Sequence, residues 1–163
     1  MIFVAVGTSA NGFDELVVAA DRAAAAIGLG GLAQIGDGRF LPLALRWQRF
    51  LPDEAFRRHL AAARVVVCHG GMGILGEAMR ARRPIVAMPR RGTTRAANPT
   101  NDQRALLRRL AETQPIEVCE EPAGLEPALR RAMARQGKPV AYRLETDIPR
   151  RIEDFLSSCV AAR

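Results

Sequence analysis

A chain of 163 residues is long enough to bury one hydrophobic core and short for two, which predicts one domain over residues 1–163. With 48% apolar and 25% charged residues the composition is that of an ordinary globular protein; no run is apolar enough for long enough to cross a bilayer, and the opening MIFVAV has neither a basic leader nor a cleavage site, so the expected location is the cytoplasm. The net charge of +7, almost all of it arginine because Lys138 is the only lysine, favours phosphate-bearing partners; an alanine- and arginine-rich genome would leave the same surplus, and the scattered arginines and few aromatics argue against a nucleic-acid surface.

Short β-branched runs alternate with longer alanine- and leucine-rich stretches. IFVAV (2–6) reads as a buried strand, followed by the loop GTSANG and a helix from Phe13 to Ile27. LAQI (32–35) is a second strand and ALRWQRF (44–50) a third; Asp53 then caps a helix running to Ala63. RVVVC (64–68) is a strand, followed by glycines and a helix from Met72 to Arg82, then strand PIVAM (84–88). A fourteen-residue loop, Pro89 to Asp102, leads to a helix from Asn101 to Glu112, strand PIEVC (115–119), a helix from Gly124 to Arg135 and a last helix after Pro149. Strands separated by helices pair in parallel through right-handed crossovers, so the fold class is α/β, a Rossmann-like open parallel sheet flanked by helices.

Ligands of such sheets bind beyond the carboxyl ends of the strands. The loop after the fourth strand lies in VVVCHGGMGILGEAM (65–79), where Gly71, Gly73 and Gly76 spell G-x-G-x-x-G. Free N–H groups at the helix start attract anions, and glycines let a diphosphate approach the backbone. Gly73 and Glu77, four apart, share one helix face, so a ligand lying over Gly73 would have its ribose hydroxyls near the Glu77 carboxylate. The plainer alternative is a tight turn with a solvated Glu77. A dinucleotide site calls for an acid about 20 residues further on. The next strand ends in MPRRGTTR, which has none, although Arg90 and Arg91 could meet the 2′-phosphate of NADP.

Gly7, Thr8 and Ser9 offer donors after the first strand, and Asn101, Asp102 and Gln103 offer amides and a carboxylate suited to sugar hydroxyls. Thr100 and Gln103 also fit a capping box. His59 reads as helix filler, whereas His69 stands at a strand end beside the glycines. Cys68, Cys119 and Cys159 are unpaired by spacing; with no D-x-D and only two histidines, no metal is expected.

In order along the chain, MIFVAVGTSANGFDELV, AQIG, RFLPDEAFRRHLAAARVVVCHGGMG, EAMRARRPIVAMPR and NDQRALLRRLAE resemble the carboxyl-terminal domain of glycosyltransferase family 28. The likeness is greatest to its free-standing form, the donor-binding subunit of split enzymes of the bacterial exopolysaccharide type, and it runs from Met1 to about Arg135. The resemblance implies half of a GT-B architecture that binds a UDP-sugar as substrate, with no cofactor and no metal. By position, the backbone around Leu51 would receive uracil and Glu77 the ribose. The loops at Gly7, Thr8 and Ser9 and at Gly71, Met72 and Gly73 would take the diphosphate, Asn101, Asp102 and Gln103 would face the sugar, and His69 and Gly70 would belong to the same substrate-binding set. His69 is the candidate catalytic group. Ile74 stands where a threonine is common, Gly76 where a larger aliphatic residue is usual, and Asp102 where many relatives have histidine. A membrane-anchored partner would supply the acceptor-binding half, for inverting transfer of a hexose-type sugar to a lipid-linked acceptor at the inner membrane face. A non-enzymatic UDP-sugar-binding subunit and an NADP-dependent oxidoreductase are the alternatives.

Overall fold

Every strand run of the sequence pairs in parallel with a neighbour in a computed structural model, which describes residues 1–8, 12–92, 102–135, 139–143 and 147–161. The strands are β1 (Ile2–Ala5), β2 (Gly31–Gln34), β3 (Arg46–Gln48), β4 (Val65–His69), β5 (Ile85–Met88) and β6 (Glu117–Val118). They form one six-stranded sheet in the order β3-β2-β1-β4-β5-β6. The helices are α1 (Asp14–Ala26), α2 (Asp53–Ala62), α3 (Met72–Arg80), α4 (Arg104–Thr113), α5 (Leu125–Ala134) and α6 (Ile148–Ala161). This is the doubly wound order, and its switch point lies between β1 and β4, in register from Ile2 opposite Val65 to Ala5 opposite Cys68.

Alternation along the strands divides the core in two. Ile2, Val4 and Val6 pack with Leu16, Val17, Leu125 and Leu129 of α1 and α5. Phe3 and Ala5 pack on the other face with Leu60, Leu75, Ala78 and Leu107 of α2, α3 and α4. β3 is the exposed edge. The loop before it is held by Asp21, a buried carboxylate on α1 that accepts the N–H groups of Leu43, Ala44 and Leu45 at 3.0, 2.9 and 2.9 Å.

Several element ends differ from the sequence expectation. Asp53 does not cap α2; Pro52 occupies the cap position, and Asp53 is the first helical residue, paired with Arg57 one turn on at 3.1 Å. α4 starts at Arg104, and the Gln103 side chain makes no cap bond because its oxygen is used elsewhere; Thr100, the other half of the expected capping box, lies outside the described residues. The strand expected over 115–119 pairs fully only at Glu117–Val118, since Pro115 has no N–H and Ile116 N–H turns back to Gln114 O at 2.8 Å. Among the described residues no helix is long and apolar enough to cross a membrane.

Candidate functional site

Beyond the carboxyl ends of β1, β2 and β4 lie adjoining clefts that share Gly7, Thr8, Gly73 and Ile74. One, of about 410 Å³, continues over His69, Gly71, Arg90 and Gln103. The other, of about 350 Å³, continues over Gln34, Phe50, Leu51, Asp53 and Phe56. The first is polar and the second has aromatic and aliphatic walls. Both open at the topological switch point, where the chain diverges on either side of β1 and β4.

His69 is slotted between two glycines. Gly7 adopts φ +79°, and a Cβ there would lie 2.5 Å from His69 Nε2; a Cβ on Gly71 would lie 2.0 Å from Cε1. Both positions therefore exclude side chains. The Gly71 N–H donates to His69 Nδ1 at 2.6 Å, so in the neutral ring the proton sits on Nε2, the side turned to Gly7. Burial, aided by the Arg90 charge, pushes the His69 pKa down to about 4. The imidazole is thus neutral at physiological pH with its lone pair engaged; it is a hydrogen-bond donor and has no free lone pair with which to take a proton.

Arg90 is the cation of the polar cleft. Its guanidinium donates to the carbonyls of Val6, at 3.0 Å, and Gly12, and lies 4.7 Å above the Phe13 ring. The first turn of α3 faces the same space. Leu75 N–H is bonded to Gly71 O at 3.1 Å, and the N–H groups before it precede the first intrahelical acceptor, as at any helix start. Gly73 sits there with nothing within 4 Å of where its Cβ would be.

No family model and no curated protein matches the chain. Solved structures do. CalG4, the calicheamicin glycosyltransferase, is 25% identical with a TM-score of 0.61 over 82% of this chain and 34% of its own. MurG of Acinetobacter baumannii is 19% identical with a TM-score of 0.57 over 82% of this chain and 41% of its own. The fold is that of a GT-B glycosyltransferase domain. The chain spans between a third and a little over two-fifths of those enzymes. The molybdenum cofactor carrier protein of Chlamydomonas reinhardtii, 14% identical with a TM-score of 0.50, is matched over 98% of its length, so the same sheet also exists by itself.

In this GT-B domain the residues singled out from sequence separate into groups. Gly7, Thr8, Leu51, His69, Gly71, Gly73 and Gln103 line the clefts. Gly70 lies behind them, its N–H donating to Gln103 Oε1 at 2.8 Å in a buried contact. Met72 projects outward, 52% exposed. Glu77 meets Arg80 at 2.6 Å, and Asp102 is in an ion pair with Arg104 that holds its carboxyl down at about 2; neither lines either of the two clefts described. Gly76 has only the Arg80 side chain near its missing Cβ, at 3.5 Å, so tight packing does not explain it. Ser9 and Asn101 lie outside the described residues. Arg91 is committed to Glu15 and Glu121 on the outer surface, so Arg90 and Arg91 do not together form a cradle for a 2′-phosphate. His59 rests on Phe3, ring centroids 6.0 Å apart, as filler.

The most informative residue missed in the sequence is Gln34. It is 4% exposed at the end of β2, and its Oε1 accepts the Leu51 N–H at 2.9 Å, fixing one N–H of the backbone around Leu51 that is expected to receive uracil. A lone polar residue near the carboxyl end of the apolar run LAQI was the available signal.

Proposed function

We propose that this chain binds a UDP-sugar as the donor half of a glycosyltransferase and that a membrane-anchored partner subunit supplies the acceptor half, the pair transferring a hexose-type sugar with inversion to a lipid-linked acceptor at the inner membrane face. The observation that carries the reading is Gly73. It stands in the first turn of α3, its backbone is not left-handed, and no described atom lies within 4 Å of where its Cβ would be, so neither a strained turn nor close packing calls for a glycine there. That space is the junction of the two clefts, which supports a ligand lying across it.

The polar cleft suits a diphosphate, because the helix start of α3, the Arg90 guanidinium and the His69 Nε2–H are all donors to negative charge. The cleft walled by Phe50, Leu51 and Phe56 suits a uracil. Glu77, one turn along α3 from Gly73, takes the ribose hydroxyls in exchange for its exposed contact with Arg80, which is worth little by itself. In transfer, the acceptor hydroxyl attacks the anomeric carbon on the face opposite the UDP. The bond from that carbon to the β-phosphate oxygen breaks, and the hydroxyl proton passes to a base on the partner. The α3 dipole and Arg90 stabilise the charge that develops on the departing UDP. No cofactor or metal enters this scheme.

UDP at a hundred times its dissociation constant stabilises a protein by about 2.7 kcal/mol, or roughly 5–10 °C in melting temperature for a chain of this size. The expected outcome of a melting series is such a rise with UDP, none with NADPH, and none with UDP for Gly73→Leu, whose own melting temperature is not lowered. Stabilisation by NADPH without any by UDP would replace this reading with that of an oxidoreductase. A non-enzymatic binding subunit is the second reading, favoured by the engaged lone pair of His69.

A further inference from the structure

One side-chain oxygen joins the loops that follow β4 and β5. Gln103 Oε1 accepts the N–H of Gly70 at 2.8 Å and the N–H of Arg90 at 3.1 Å, across sequence separations of 33 and 13 residues. The main chain doubles the link, because Gln103 N–H donates to Arg90 O at 3.0 Å. Gly70 allows the approach: a Cβ there would lie 2.9 Å from Gln103 Cβ. Gln103 itself is 9% exposed. Arg90 extends the connection to the loop after β1 through its bonds to Val6 O and Gly12 O. A continuous path thus runs from Gly70 through Gln103 and Arg90 to Gly12, along the wall of the polar cleft.

A carboxamide oxygen has two lone pairs, and both are directed at main-chain N–H groups here. It therefore does not serve as an acceptor for a sugar hydroxyl. What it does hold is the peptide that leads into Gly71, whose N–H in turn orients His69 and whose carbonyl starts α3. We propose that Gln103 is a positioning residue for the diphosphate-facing loops, its oxygen setting the affinity for the nucleoside diphosphate itself whatever sugar is attached. The inference rests on the reading that the clefts take a UDP-sugar.

Gln103→Met keeps the length and bulk of the side chain and removes the oxygen. In calorimetric titrations UDP is expected to bind this variant at least tenfold more weakly than the wild type. UDP-glucose and UDP-N-acetylglucosamine should weaken at least as much as UDP. Undiminished UDP affinity with a loss confined to the sugar nucleotides would overturn the proposal and make Gln103 a sugar contact alone. One measurement on the wild type does not depend on the variant folding. In the free protein the Gly70 and Arg90 amides should exchange with solvent at least tenfold more slowly than an open loop amide. Rapid exchange of those amides is the contrary result. If wild-type UDP binding itself is absent, the functional reading fails, while the exchange rates still decide whether the two loops are clipped.

Discussion

His69 is the residue at which position and chemistry diverge most. It stands beside the glycine turn where a general base would be sought, yet its Nδ1 is occupied by the Gly71 N–H at 2.6 Å and its pKa is pushed down to about 4 by burial and then by Arg90. The sign of the consequence follows from linkage. The unfolded chain binds a proton at this site near the ordinary histidine value of about 6.5 while the folded chain does not, so the stability held above that pH is lost as pH falls to about 4. The loss amounts to about 3 kcal/mol, at 1.36 kcal/mol per unit. Urea denaturation at pH 7, 5.5 and 4 should record that decline in the wild type, and His69→Asn, which has no such proton to bind, should decline less by that amount. Equal slopes would mean that the ring is charged in the native state. Gly71 stands two residues from the imidazole in the sequence, but neither the approach of Gly7 from the first strand nor the direction of the lone pair was readable there, because both depend on how the chain folds back on the ring.

At the level of elements, the clefts depend on connections that helix α1 and strand β2 hold in place. Asp21 looks in sequence like an interruption of the run AADRAAAA, a polar residue to be left in solvent. In the structure it is 6% exposed and takes the N–H groups of Leu43, Ala44 and Leu45, fixing the segment that leads into β3 and on to Phe50 and Leu51. Hydrogen bonds to a charged group contribute about 1.5–3 kcal/mol each, and a donor left buried and unpaired costs about as much. Asp21→Ala should therefore cost about 3 kcal/mol or more in chemical denaturation. A change below about 1 kcal/mol would show that solvent replaces the carboxylate without penalty. Gln34 performs the corresponding task on the other side of the cleft, tying Leu51 to the end of β2 at 2.9 Å.

For the whole molecule, the controlling fact is that the sheet carries both clefts beyond its strand carboxyl ends while the chain spans only 34% of CalG4 and 41% of MurG. Under the proposed function, a donor held in these clefts is shielded from water during transfer only when a second domain or subunit closes over it. On the proposed function, the expected outcome is that the isolated chain binds UDP but transfers no sugar from a UDP-sugar donor, and that turnover is restored when the proposed membrane-anchored partner is added. Turnover by the isolated chain at a rate equal to that of the pair would show that this half alone is catalytic. Failure of the reconstituted pair with every UDP-sugar, despite UDP binding, would favour the non-enzymatic subunit.

Period and punctuation alone determined much of this protein. Apolar runs of four or five residues separated by alanine-rich stretches dictated the alternation of strands and helices, hence a parallel sheet, hence clefts at the strand carboxyl ends, and the glycines of HGGMG marked where the chain along them carries the least side chain. Those are local signals, since a strand or a helix start is encoded within a few residues of itself. Only the tertiary structure decided which polar atoms remain for a ligand. Gln103 reaches Gly70 across 33 residues, Arg90 reaches Val6 across 84, and Leu51 is met by Gln34 across 17. Partnerships of that range are set by the order in which strands assemble in the sheet, and no spacing in the sequence carries that order.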